Sequence, residues 1–106
     1  MAQFDVHENI GKHKGAIPFV VIVQSSQFDG YRRRVVVPLV RAREIGHPRY
    51  EPFNPSFTIR GAKVVLHPLE IVSIPLDRLG ARVASLAGSG QAIIAALDEL
   101  LTRAWK

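Results

Sequence analysis

Four histidines, His7, His13, His47 and His67, are the residues of this 106-residue chain best suited to hold a metal ion or move a proton. No two of them stand four apart with a glutamate between, and none has a close carboxylate at ligand spacing, so a metal centre would have to be assembled wholly by the fold. Ordinary surface histidines are the expectation, with no metal and no cofactor. The chain contains no cysteine, which removes thiolate nucleophiles, thiolate metal sites and disulfides, and which suits a reducing cytosol. No serine occupies a Gly-x-Ser-x-Gly elbow, so covalent catalysis has no recognisable nucleophile. Gly88-Ser89-Gly90 precedes a helical stretch, where free backbone N–H groups attract anions. The third glycine of a dinucleotide fingerprint is Ile93 here and no Gly-Lys-Ser/Thr follows, so this segment reads as a flexible capped hinge.

Arg32-Arg33-Arg34 is the densest charge in the chain. On an extended strand Arg32 and Arg34 project to one side and Arg33 to the other, so only part of the cluster faces any one partner. Three arginines fall short of the five to eight basic residues that mark a nucleic-acid patch, and the favoured reading is an edge strand guarded by charge. Fourteen Lys and Arg against nine Asp and Glu leave a formal charge of +5, which points to acidic partners and leaves nucleic acid and acidic protein equally open. Trp105, the single tryptophan, stands one residue from the end. Aromatic residues dominate interface hot spots, and Asp98, two turns earlier, lies at the border of the same helix face.

The length holds one domain, and a hydrophobic fraction of 47% with 22% charged residues suffices for a folded core. The N-terminus has neither the basic start nor the apolar stretch of a signal peptide. No apolar run approaches the ~18 residues of a membrane span, so a soluble, cytoplasmic protein is expected. Strands are expected over about residues 3–76. Gln3 to His7 alternates with Phe4 and Val6 inward, Gly11 and Gly15 bracket a basic loop, and Pro18 opens the β-branched run from Phe19 to Gln24. Arg33 to Val37 is predicted to pair with that run and to stop at Pro38, which lacks a ladder donor. An irregular loop follows from His47 to Pro55. Phe57–Ile59 and Ala62–Leu66 form a hairpin across Gly61, where a positive φ is available, and Ile71 to Leu76 is an edge strand or bend interrupted by Pro75.

Beyond Gly88 the pattern turns helical, with Ser89 as N-cap and a run from about residue 90 to 105 free of Pro and Gly. At about 100° per residue its apolar side chains, Ile93, Ile94, Ala96, Leu97, Leu100, Leu101, Ala104 and Trp105, cover a face roughly 180° wide. A single core needs a stripe of only about 100°. Either a second apolar partner exists, or alanines 92, 95 and 96 pad a well-buried helix.

Val23-Gln24-Ser25, then Asp29, the arginine cluster and Val35-Val36-Val37-Pro38-Leu39, resemble the CcdB family of plasmid-addiction toxins. Gln3-Phe4-x-Val6, Ser73-Ile74-Pro75, Gly80-x-x-Val83-Ala84-x-Leu86 and the apolar final helix keep the same register, so the likeness spans almost the whole chain. The resemblance implies a mostly β fold, a small SH3-like barrel closed by a C-terminal α-helix. It further implies a homodimer that binds the DNA gyrase A subunit and traps the enzyme on cleaved DNA, with no catalysed reaction. A cognate CcdA-like antitoxin with an acidic, disordered tail would neutralise it, and Lys12, Lys14, Arg41 and Arg43 are the candidate antitoxin contacts.

Carried over by position, the family's apolar pair after Gln-Ser falls on Gln27 and Phe28, of which only Phe28 keeps the character. The helix residue facing gyrase is Asp98, where the family pattern has asparagine. The family's terminal aromatic pair, glycine and aliphatic residue fall on Leu101, Thr102, Arg103 and Ala104, and Trp105 comes about one turn late, some 5 Å of helix rise away. Two alternatives stand beside gyrase poisoning. One is a ribosome-independent endoribonuclease on the related MazF/Kid barrel, with Arg34, Thr58 and Asp77 as candidates that no spacing selects; the other is a diverged, non-toxic member.

Overall fold

The structure, a computed structural model, describes residues 2–45 and 50–102. Seven strands, β1 (Asp5–Asn9), β2 (Phe19–Ile22), β3 (Arg33–Arg41), β4 (Ser56–Ile59), β5 (Ala62–Leu66), β6 (Val72–Pro75) and β7 (Leu79–Ser85), precede the helix α1 (Gly90–Thr102). They form one curled sheet in the order β4-β5-β3-β2-β1-β7, with β6 also paired to β3. All the pairings are antiparallel. The mostly β architecture with a C-terminal helix agrees with the expectation from sequence.

The β-branched runs are unbroken because both faces of β2 and β3 are covered. Val21, Val37 and Leu39 point to one face, where Val6, Phe19, Val64, Leu66, Ile93 and Ala96 complete the main core. Val20, Ile22 and Val36 point to the other, against Ile74 and Leu79. Helix α1 therefore rests on one face only, through the fully buried Ile93 and Ala96.

Local chemistry sets the β4–β5 hairpin, whose turn uses positive φ at both Arg60 (50°) and Gly61 (79°). Several expectations are corrected. Pro38 does not end β3: it pairs with Val20, and its missing donor falls in the gap between the β6 partners of 33–36 and the β5 partners of 39–41. Its carbonyl still accepts from the His67 N–H at 3.1 Å. Nor is β3 an edge strand guarded by charge, since it has partners on both sides. The first strand begins at Asp5, because Phe4 takes φ 70°. Asp5 and His7 are buried alongside Val6, as β1 lies inside the sheet between β2 and β7. His7 is thus no surface histidine: its Nδ1 lies 2.9 Å from the Gly80 carbonyl, and its Nε2 has no hydrogen-bond partner among the described residues.

Strands also extend beyond residue 76, because β7 closes the sheet against β1. It does so across register shifts flanking His7, and Gly80 permits the approach: a Cβ there would lie 2.6 Å from the Glu8 carbonyl oxygen. A 3₁₀ turn over Ala87–Ser89 then leads into α1, with the Ser85 hydroxyl accepting the Ala87 N–H at 3.2 Å. His47 and Pro48 of the expected loop, and the helix end at Arg103, Ala104 and Trp105, lie outside the described residues.

Candidate functional site

Between β2 and β3 the chain makes a tightly held display loop. Ser25 caps a 3₁₀ turn over Ser26–Phe28, its hydroxyl accepting the Gln27 N–H at 3.3 Å. Gln24 staples the two ends together: its amide nitrogen donates to the Phe28 and Arg33 carbonyls at 3.2 Å each, and its amide oxygen accepts the Val35 N–H at 3.0 Å. Arg34, only 4% exposed, clamps the loop from within. Its guanidinium donates to the carbonyls of Tyr31 (2.7 Å), Arg33 (2.9 Å) and Asp29 (3.1 Å), and its Nε lies 3.6 Å from the Asp29 carboxylate. Charge-assisted bonds of this kind are about twice as strong as neutral ones.

The clamped loop presents Gln27, Phe28 (46% exposed) and Tyr31 (68% exposed) to solvent. The two aromatic rings meet edge to face with centroids 6.3 Å apart, a favoured aromatic geometry. Tyr31 escaped the sequence reading, although an aromatic residue directly after a turn glycine, Gly30, was the available signal. Arg32 and Tyr31 border an open hollow of about 480 Å³ together with Asp29 and Asp77. Arg33 is turned to β6, donating to the Ser73 hydroxyl at 2.9 Å and its carbonyl at 2.7 Å. The triple arginine therefore divides into three roles, only one of which leaves a side chain facing the hollow.

Gln3 links this loop to α1. Its N–H donates to the Ser26 hydroxyl at 3.4 Å and its side-chain amide to the Val23 carbonyl at 3.0 Å. On its other side Gln3 and Phe4 share a hollow of about 340 Å³ with Gly90, Gln91 and Ile94. The helix face next to that hollow stays open: Ile94 is exposed, Leu101 is 70% exposed, and Asp98 is exposed between them. Thr102 folds its hydroxyl back onto the Asp98 carbonyl at 2.5 Å. Gln27, Phe28, Asp98, Leu101 and Thr102 are thus all at the surface, the first pair and the helix start joined through Gln3. Arg103, Ala104 and Trp105 lie outside the described residues.

The basic candidates gather elsewhere. Lys12 and Lys14 are exposed on the β1–β2 connection. Arg41 ties that connection down, its N–H donating to the Ala16 carbonyl at 2.8 Å and its Nε to the Gly15 carbonyl at 2.9 Å. Arg43 is exposed beside Glu44, at 3.7 Å. Arg34, Thr58 and Asp77, by contrast, do not converge. Arg34 and Asp77 attach at the β6-paired end of β3, whereas Thr58 on β4 joins β3 through β5 at the other end. Among the described residues no three His, Asp or Glu side chains gather as a metal site, and no helix is long and apolar enough to cross a membrane.

A family model described as CcdB protein matches residues 3–102. No curated protein matches the chain. Among solved structures, an endoribonuclease in complex with its cognate antitoxin, from a mycobacterial species, is similar at 17% identity and a TM-score of 0.74, over 100% of this chain and 99% of that one. That likeness bears on the fold, and the curled sheet with its terminal helix is the SH3-like barrel expected from the sequence.

Proposed function

Because this chain belongs to the CcdB family of toxin–antitoxin toxins, we propose that it acts in the cytoplasm as a homodimeric, non-catalytic poison of DNA gyrase. Its open α1 face and the Gln27–Phe28 turn grip the gyrase A subunit while the enzyme is covalently attached to cleaved DNA. The observation that carries this reading is the half-used helix. Ile93 and Ala96 fill the core while Ile94 and Leu101 stay in water, an apolar stripe wider than one packing partner needs. Asp98 lies on that stripe's border, and Arg103, Ala104 and Trp105, the remaining proposed contacts, follow in the sequence. An antitoxin with an acidic disordered tail neutralises the toxin, and Lys12, Lys14, Arg41 and Arg43 supply complementary charge.

Endoribonuclease action is the competing reading, favoured by the barrel shared with an RNA-cleaving toxin. Its candidate arginine counts against it, since the Arg34 guanidinium is committed to three carbonyls and Asp29. Overexpression is expected to arrest growth and to yield linearised plasmid with gyrase attached, while leaving RNA intact. Failure of the purified chain to retain gyrase A in a pull-down overturns the proposal, and RNA cleavage by the purified chain replaces it with the alternative.

A further inference from the structure

We propose that Asp29–Gly30 is a site of spontaneous aspartate isomerisation, held shut in the folded chain by the Arg34 clamp. This inference goes beyond the gyrase reading and does not depend on it. Of the aspartates Asp5, Asp29, Asp77 and Asp98, only Asp29 precedes a glycine, the neighbour whose backbone nitrogen no side chain shields. In the reaction that nitrogen gives up its proton and attacks Cγ of the Asp29 carboxylic acid, whose hydroxyl leaves with the proton as water. A second water then opens the five-membered imide. Attack at the main-chain carbonyl leaves Gly30 bonded to Cγ, an isoaspartate, and attack at Cγ restores aspartate. One water is lost and one regained, with no oxidant, reductant or co-reactant.

The loop supplies the reactants and blocks their meeting. Gly30 is exposed, nothing stands within 4 Å of where a Cβ would be, and its N–H donates to no carbonyl among the described residues. The Asp29 side chain is 39% exposed, so water reaches it. Ring closure, however, needs the Gly30 nitrogen on the side of the Asp29 Cβ, and the backbone at φ −66° and ψ −13° turns it away. The rotation that would bring it round swings the Asp29 carbonyl off the Arg34 guanidinium, which donates to it at 3.1 Å. Arg34 Nε also stands 3.6 Å from the carboxylate, and the guanidinium is itself fixed by the Tyr31 and Arg33 carbonyls. Reaction therefore waits on local opening of the loop. Once formed, isoaspartate adds a methylene to the backbone between Phe28 and Tyr31. The Tyr31 N–H donates to the Phe28 carbonyl at 3.1 Å across that point, so the aromatic display changes shape.

The test is to age the full chain at neutral pH and physiological temperature, native and in guanidinium chloride, and to count isoaspartate at residue 29 by mass spectrometry of proteolytic fragments. The denatured chain is expected to isomerise at Asp29 about tenfold faster than the native one, or more. Arg34→Met, kept in native buffer, should recover much of that difference, with thermal melting confirming that it folds. Where it does not fold, Arg34→Lys takes its place, since it keeps the charge and loses the fork of donors. Gly30→Ala, whose added Cβ meets no neighbour in the fold, should slow the denatured reaction by crowding the attacking nitrogen. Three results would each overturn the proposal: no isoaspartate at residue 29 in the denatured chain, equal rates for native and denatured wild type, or a folded Arg34 variant no faster than native wild type. A gyrase pull-down that fails bears on the target alone, so the two failures are separable.

Discussion

Arg34 illustrates how one buried side chain organises a surface it does not itself present. Its guanidinium is buried, yet it organises Asp29 through Arg33 and thereby the display of Phe28 and Tyr31. Replacing it with methionine keeps most of the volume and removes every one of those donors. Arg34→Met is expected to cost about 2 to 4 kcal/mol, because the carbonyls it served are left without their charged partner, read as a lowered midpoint in urea. Its neighbour serves as the control. Arg33→Met loses two bonds to Ser73, but at an exposed position where water replaces them, and should cost no more than about 1 kcal/mol. Equal effects for the two would show that the loop does not depend on its clamp.

Two elements shape the fold around the surface proposed to bind gyrase, the β1–β7 closure and α1. Strand β7 reaches β1 only because Gly80 carries no side chain, as a Cβ there would crowd the Glu8 carbonyl at 2.6 Å and the Ile10 side chain at 2.9 Å. Backbone cannot swing aside as a long side chain can, so Gly80→Ala should lose about 1 to 3 kcal/mol in thermal or chemical unfolding. A variant as stable as wild type would mean that the strands part more easily than the packing implies. For α1 the opposite separation is expected. Leu101→Glu changes a side chain that is 70% exposed, so folding stability should move by only about 0.5 kcal/mol. Retention of gyrase A should fall by about tenfold or more, because a charge then sits on the apolar stripe. Calorimetric titration beside a melting curve reads both, and unchanged gyrase affinity would remove this face from the interface.

For the molecule as a whole the proposal requires two copies, because the proposed homodimer would present a pair of α1 faces to gyrase. Sedimentation at micromolar concentration should give twice the 11.7 kDa chain mass, and a species of one chain mass throughout the range would end the paired-helix mechanism. The formal charge of +5 acts at this level too. It is expected to speed encounter with acidic partners, an advantage that fades as added salt shortens the Debye length to about 8 Å at physiological strength.

Residue chemistry alone specified the pieces whose causes are local. Gly61 announced the β4–β5 turn, the unbroken Phe19–Val23 and Val35–Val37 runs announced a pair of strands, and the helix emerged at Gly90 from its own periodicity. The order of family motifs announced the barrel. Long-range contacts decided the rest. Leu79–Ser85 mixes small, charged and apolar residues with no clean alternation, so its strand exists because β1 offers an edge. Pro38 could sit mid-strand because β3 changes partners at that point. Arg34 and His7 look like surface residues in the chain and are buried by neighbours that arrive from elsewhere. A strand's own pattern records which of its faces is dry, whereas which edges meet, and which polar groups they enclose, depends on partners far away along the chain.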